Sequence, residues 1–136
     1  MRFVVVALAL ALALPAQSPE YHAVASAKQI MAGVQKPAMD ALAAMLKAGG
    51  PADDKEWESA QRQAAILAET AQLLQMGNRP LDQDVWIKSS QRLEEAAIGS
   101  GKAAEAKDLA AWKASLGNMG AACKSCHNVH KKQHQG

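Results

Sequence analysis

The chemistry of this chain is concentrated near its carboxyl end. Both cysteines and three of the four histidines of the 136-residue sequence lie within its last fourteen residues. Residues 123–127 read CKSCH, so two thiols stand three positions apart with an imidazole directly after the second. Residues three and four apart share one face of an α-helix, which would bring Cys123, Cys126 and His127 together. Thiols and imidazoles are nucleophiles and metal ligands, and several kinds of site use this spacing.

The spacing is typical of covalent haem attachment. Two thiols add across the two vinyl groups of a haem to give two thioethers, and the following histidine offers a ring nitrogen to the iron. The sequence therefore predicts one covalent haem c, bound through Cys123 and Cys126, with His127 as the proximal axial ligand of the iron.

Three other interpretations stay open. A dithiol redox pair normally opens a helix after a strand, where the helix N-terminus lowers the thiol pKa; here the pair lies far into a predicted helix. A zinc site would use Cys123, Cys126, His130 and His134, although four ligands on one helix stripe cannot easily surround an ion. The plainest alternative is an exported helical protein with an inert disulfide between the two cysteines.

The amino terminus has the layout of a secretory signal peptide. Arg2 precedes the apolar run of residues 3–14, and Pro15 and Ala16 offer a small-residue cleavage site. Twelve apolar residues make a helix of about 18 Å, too short to cross a hydrocarbon core of about 30 Å. We therefore expect a cleaved signal peptide at residues 1–16, export to the periplasm, one domain over residues 17–136, and no membrane insertion after cleavage.

Charge and composition narrow the class of protein. The chain has 15 Lys+Arg and 13 Asp+Glu; removing Arg2 leaves 14 against 13, a net charge of +1. This balance argues against a nucleic-acid partner, which requires a basic surface. Beyond residue 16 the only aromatic side chains are those of Tyr21 and three tryptophans. So few bulky side chains leave room for a bound group in the core.

Helical spacing recurs four times, and no segment reads as a strand. The predicted helices cover about residues 21–47, with Pro37 as an interruption, then a segment capped by Asp53, a segment starting near residues 82–84, and a last one capped by Asp108. The apolar stripe of the first is Val24, Ala27, Met31, Val34, Ala38, Ala41 and Met45. The apolar stripe of the third predicted helix is weaker, because Ser89 and Ser90 stand at core positions. The stripe of the last helix continues through Cys123, Cys126 and His130. Four such helices with short connections predict an all-α, antiparallel four-helix bundle with its haem near the C-terminal helix.

An export signal, four helices and a C-x-x-C-H motif in the last helix resemble the class II c-type cytochromes, the cytochrome c prime superfamily. Some members of that family leave the iron five-coordinate and high-spin, and their low-spin relatives use a methionine from the first helix. Residues 28–37, KQIMAGVQKP, place Met31 where that methionine would stand. The resemblance therefore implies Met31 as the sixth iron ligand and a place near the low-spin members, while Met39 and Met45 would fill the core.

Two positions depart from the family pattern. Where many members have an aromatic residue and then an arginine after the motif, this chain has His130 and Lys131. Lys131 and Lys28 would be able to face haem propionates, and His130 would be able to pack on the haem edge. A solvated helix end explains His130 and Lys131 equally well. His22 is expected to be an exposed histidine near the amino terminus rather than a ligand.

The function implied is a periplasmic electron carrier with redox partner proteins. No residue is predicted to act as an acid, base or nucleophile, so we do not expect an enzyme. The alternative is a five-coordinate, high-spin protein that binds small gases such as NO or CO. A homodimer is a possible assembly, since related bundles often pair through their first two helices.

Overall fold

The computed structural model describes residues 20–131, and within this range the chain is helical without any β-strand. The predicted all-α class is confirmed for these residues. The elements are α1 (Ala27–Ile30), a π-helical turn (Met31–Gln35), α2 (Lys36–Lys47), α3 (Asp54–Leu73), α4 (Val85–Glu105) and α5 (Leu109–His130). The first three follow one another without a break and form the first of four helices. The predicted signal peptide and His134 lie outside the described residues.

Two of the predicted helix starts are capped as expected. The Asp53 carboxylate accepts a hydrogen bond from the Glu56 backbone N–H at 2.8 Å, and Asp108 accepts one from the Ala111 N–H at 3.0 Å. Each pairs an amide that the first turn of a helix leaves without a partner. Glu56 does not complete a capping box with Asp53, because its carboxylate instead accepts the Ala52 N–H at 2.8 Å.

The first helix starts later than predicted. Ser26 caps it: its hydroxyl accepts the Gln29 N–H at 3.2 Å, and the Gln29 side chain accepts the Ser26 N–H at 2.9 Å. This reciprocal pair is a capping box, and it ends the non-helical segment before α1. Val24, predicted to be on the buried stripe, therefore lies outside the helix and is 95% exposed.

Pro37 interrupts the first helix through the turn that precedes it. Proline has no N–H to donate, and its ring collides with the carbonyl four residues back, here that of Gly33. The Lys36 N–H bonds to the Met31 carbonyl, five residues back, which defines a π turn with one residue more than an α turn. This extra residue changes which side chain points inward, so that Gln35 is 7% exposed and Val34 is 37% exposed. The predicted position of Val34 on the buried stripe is wrong for this reason.

The helices pack in chain order, α2 against α3, α3 against α4, and α4 against α5, whereas the first helix and α5 make few close contacts. This arrangement of four helices is compatible with a helical bundle. The main apolar cluster takes residues from all four helices, and its largest buried members are Leu42, Leu67, Leu93, Trp112, Leu116 and Met119. A second cluster joins the start of the first helix to the end of α5 and consists of Ala27, Ile30, Leu74, Trp86 and Cys126.

None of the helices within residues 20–131 combines the length and the apolar character that crossing a bilayer requires.

Candidate functional site

A groove of about 440 Å³ opens between the first helix and the last turns of α5. Its wall is almost entirely apolar, and it lies where the first and last helices stand apart. The residues that line it are Lys28, Met31, Ala32, Gln35, Lys36, Met39, Cys123, His127 and Lys131. This volume falls within the range of about 300–1,000 Å³ that is usual for small-molecule and cofactor sites.

A smaller cleft of about 30 Å³ lies deeper, between the groove and the core. It shares Met31, Gln35, Cys123 and His127 with the groove, and adds Cys126, Leu74 directly after α3, and further residues of α4 and α5. All three residues of the C-x-x-C-H motif therefore line one cleft together with Met31. The sequence predicted these four as site residues, and the fold brings them together from opposite ends of the described chain.

The three residues of the C-x-x-C-H motif differ in burial, because they lie at different angles around the axis of α5. Cys126 is buried and packs in the cluster that contains Trp86, Cys123 is half-buried, and His127 is exposed at the groove. Ser89 and Ser90 of α4, whose small side chains looked out of place on a core stripe, are both buried and line the cleft. Larger side chains at these two positions would fill the space beside the cysteines.

Both cysteines are free, and burial raises the pKa of the thiol of each. For Cys126 the negative charges of Asp82 and Cys123 raise the pKa further. A catalytic dithiol needs the opposite shift, because the thiolate is the attacking species. The environment of the two thiols therefore argues against the dithiol redox interpretation.

The surroundings of His127 favour an uncharged imidazole, although part of the ring is exposed at the groove. Partial burial, and to a lesser degree the charge of Lys131, lower its pKa. At neutral pH the imidazole is therefore uncharged and keeps a nitrogen lone pair free for coordination. None of the hydrogen bonds or ion pairs found within residues 20–131 uses its side chain.

Two methionines of the first helix reach the groove. Met31 is half-buried and lines both the groove and the inner cleft that holds the cysteines, whereas Met39 lines the groove alone. Met45 packs against the main core instead. Sequence reasoning assigned Met39 to core filling and did not foresee that it would share the groove with Met31.

Gln35 is the polar member of this wall that sequence reasoning missed. Its side chain is buried, it lines both the cleft and the groove, and its Nε2 amide has no hydrogen-bond partner among the described residues. A buried amide of this kind is unfavourable by about 1–3 kcal/mol. The signal available in the sequence was Pro37 two residues later, but the register change that it causes is not visible in an apolar pattern.

Three lysines surround the groove, namely Lys28, Lys36 and Lys131. Lys36 is also paired with Asp40 across 2.5 Å on the exposed side of the helix. Of these lysines, sequence reasoning considered Lys28 and Lys131 as neighbours of haem propionates or as plain surface charges. All three lie on the groove wall, and Lys28 and Lys131, for which no ion pair is found among the described residues, give it a positive rim.

His130 is not part of a solvated helix end. It is 5% exposed, its Nε2 lies 2.5 Å from Asp82 Oδ2, and its ring meets Trp86 edge to face at 5.7 Å. The solvated interpretation of His130 is therefore wrong: the ring is one turn beyond Cys126 on the buried side of α5. This contact ties the end of α5 to the segment that precedes α4.

The residues of the groove fit the group that the motif implies. A haem c requires two thiols, an axial imidazole and, in low-spin proteins, a second axial donor such as a thioether. The cleft is lined by two thiols, an imidazole and a thioether, and the groove beside it is apolar. Gln35 adds a buried N–H donor that has no acceptor among the described residues.

Only part of the zinc interpretation falls on the described residues, because His134 lies outside them. Within residues 20–131, His130 is engaged with Asp82, and no group of three or more His, Cys, Asp or Glu side chains is arranged to hold a metal ion.

Comparison with known proteins adds no family assignment: no family model matches the chain, and neither curated proteins nor solved structures include a significant match.

Proposed function

We propose that this protein is an exported c-type cytochrome of the periplasm that carries single electrons. One haem c would be attached through Cys123 and Cys126, with His127 and Met31 as the two axial ligands of its iron. The resemblance to the cytochrome c prime superfamily, nearer its low-spin members, belongs to the same proposal.

One observation carries the proposal. Two thiols, a neutral imidazole and a thioether come from helices at opposite ends of the described chain and line one cleft beside an apolar groove. A bundle that only had to be stable would close this space, because interiors pack densely and apolar walls gain free energy by contact. The first and last helices instead stand apart at this point.

When bound, the haem supplies a one-electron Fe(III)/Fe(II) couple whose potential depends on its axial ligands and surroundings. The chain contributes the rest. His127 presents an uncharged ring nitrogen and Met31 a soft thioether, and the apolar wall would keep water away from a group bound in the cleft. The two cysteines, held one helical turn apart on α5, fix the orientation of the group.

The positive rim supports an acidic redox partner. Lys28, Lys36 and Lys131 surround the groove, and complementary charge raises the rate at which two proteins meet. Electron transfer would then occur across the groove mouth, where the edge of the bound group is nearest to solvent. We assign no acid, base or nucleophile, since the proposed reaction moves an electron only.

Mass spectrometry of the exported protein tests the attachment. Covalent haem adds its mass to the polypeptide and survives denaturation, and replacing Cys123 and Cys126 by serine removes it. A purified protein with only its polypeptide mass, or one that loses its colour on acid-acetone extraction, would end the proposal.

Visible spectra test the axial pair. Met31→Ala is expected to convert a low-spin spectrum into a high-spin one, because the iron loses its sixth ligand. Met39→Ala is the matched control: it removes the same side chain from the same groove and should leave the spectrum low-spin. If Met39→Ala produces the conversion and Met31→Ala does not, Met39 is the ligand.

The second candidate is a five-coordinate protein that binds small gases. The observation in its favour is the open groove next to a buried amide with no partner, since distal donors help to decide what an iron binds. A high-spin wild-type spectrum with ready carbon monoxide binding would select this candidate over the electron carrier.

A further inference from the structure

The π turn places an amide where an apolar side chain would be expected. With regular α-helical spacing Val34 would lie on the buried stripe of the first helix, but the extra residue moves Val34 outward and Gln35 inward. Burying Gln35 rather than Val34 lowers stability, because an amide without a partner is unfavourable in an apolar interior. Exceptions of this kind in natural proteins are concentrated at functional sites, as are π turns.

Nothing in the described chain pairs the Gln35 amide. Its Nε2 is inaccessible to solvent and has no partner, and the thioether of Met31, one turn earlier, does not accept from it either. The hydroxyl of Ser89, on the opposite wall, donates to Ser125 at 3.3 Å and does not accept from the Gln35 amide. We therefore expect the acceptor for Gln35 to come from what occupies the cleft.

The charge and depth of the surrounding side chains distinguish two possible acceptors for Gln35, a haem carboxylate and a ligand bound near Met31. The carboxylates of a haem are matched by the lysines at the rim, Lys28, Lys36 and Lys131, which remain near solvent. Gln35 is deeper and neutral, and it lies beside Met31, the residue proposed as the sixth ligand. It is therefore placed for an acceptor bound on the Met31 side of the group rather than for a propionate.

We propose that Gln35 is a specificity-determining residue, which donates a hydrogen bond to a small ligand that takes the sixth position in place of Met31. This inference rests on the proposed function. The ligand class is a small anion or polar diatomic molecule whose outer atom accepts a hydrogen bond. A neutral, weakly accepting molecule such as carbon monoxide gains little from the same amide.

The test compares two ligands in a background that opens the sixth position. Holoprotein carrying Met31→Ala is titrated with cyanide in its ferric form and with carbon monoxide in its ferrous form, with and without Gln35→Leu. Gln35→Leu is expected to weaken cyanide binding about 10- to 100-fold, the effect of one hydrogen bond to a charged group at 1.4 kcal/mol per tenfold. Carbon monoxide affinity should change by less than about threefold.

Controls separate hydrogen bonding from structure. Gln61→Leu makes the same substitution on α3, away from the cleft and the groove, and should leave the ratio of the two affinities unchanged. Gln35→Val should repeat the result of Gln35→Leu with a different side chain. An unchanged ratio in both Gln35 variants, or equal losses for both ligands, would overturn the role of Gln35. Selective loss of cyanide binding supports it.

The failure of the proposed function is recognised separately. A protein without covalent haem by mass overturns both proposals before any titration. A wild-type protein that is already high-spin overturns the assignment of Met31, and the Gln35 comparison is then made without the Met31 substitution. If the holoprotein is low-spin but the ratio of cyanide to carbon monoxide affinity is the same with and without the Gln35 substitutions, this inference alone is overturned.

Discussion

Two buried tryptophans, Trp86 of the inner cleft and Trp112 of the main core, give a matched test of how a buried hydrogen bond stabilises the protein. Trp86 and Trp112 are both 0% exposed. The Trp86 Nε1 donates to the Leu74 carbonyl at 2.7 Å, whereas the Trp112 Nε1 has no partner among the described residues. Each ring also meets one aromatic neighbour edge to face, and replacing each by phenylalanine removes a similar amount of ring. The difference between the two variants therefore reports mainly on the hydrogen bond.

The expected magnitudes follow from these contacts. Trp86→Phe leaves the Leu74 carbonyl, at the buried end of α3, without the indole donor, which lowers the free energy of unfolding by about 1–3 kcal/mol beyond the loss of packing. Trp112→Phe removes a buried N–H without a partner among the described residues, and this offsets part of the stability that is lost because the phenylalanine ring is smaller. We therefore expect Trp86→Phe to be less stable than Trp112→Phe by about 2–4 kcal/mol.

Urea unfolding of the purified protein, followed by circular dichroism, measures the difference. With a slope of about 2 kcal/mol per molar urea, the midpoint of Trp86→Phe should lie about 1–2 M below that of Trp112→Phe. Equal midpoints, or a lower midpoint for Trp112→Phe, would refute the reasoning that the Trp86 bond stabilises the cleft wall. A change of slope in either variant would show that the comparison is not two-state.

Two further predictions concern the ends of helices near the site. Ser26→Ala removes the capping box before Met31 and should lower the free energy of unfolding by about 1 kcal/mol in urea titrations, whereas Ser115→Ala, at a half-buried position inside α5, should have a smaller effect. Backbone hydrogen bonding from Trp86 lowers the pKa of Asp82 from its usual 3.8, so its stabilising contribution is complete above that value and disappears as the pH falls through the lower pKa of the folded state. Asp82→Asn should therefore flatten the acid side of a plot of urea midpoint against pH, and an unchanged acid side would contradict this linkage.

The sequence was sufficient for the helical class and for the grouping of the site. Asp53 and Asp108 cap the helices where local composition places them, because capping depends on residues within one turn. Cys123, Cys126 and His127 share a cleft because residues three and four apart lie on one side of α5. The position of Met31 opposite them followed from the family resemblance, and the haem itself remains a prediction.

What the sequence could not provide depends on contacts between distant elements. Sequence reasoning left His130 undecided between a haem contact and a solvated helix end, because nothing local signals Asp82, which reaches it from the segment before α4. The two serines of α4 looked like a weak core stripe because the cleft that they line is formed with other helices. Gln35 was missed because an apolar pattern assumes a constant number of residues per turn, and Pro37 breaks that assumption.

The π turn also determines how α1 is rotated about the helix axis relative to α2. An α-helix rotates by about 100° per residue, so one additional residue between α1 and α2 fixes the phase of Met31 relative to α2. Shortening the turn by a single residue would rotate α1 about its axis by this angle while Ala38 and Leu42 kept their places in the core. The direction in which the methionine points is thus encoded in the length of a turn as much as in the identity of the residue.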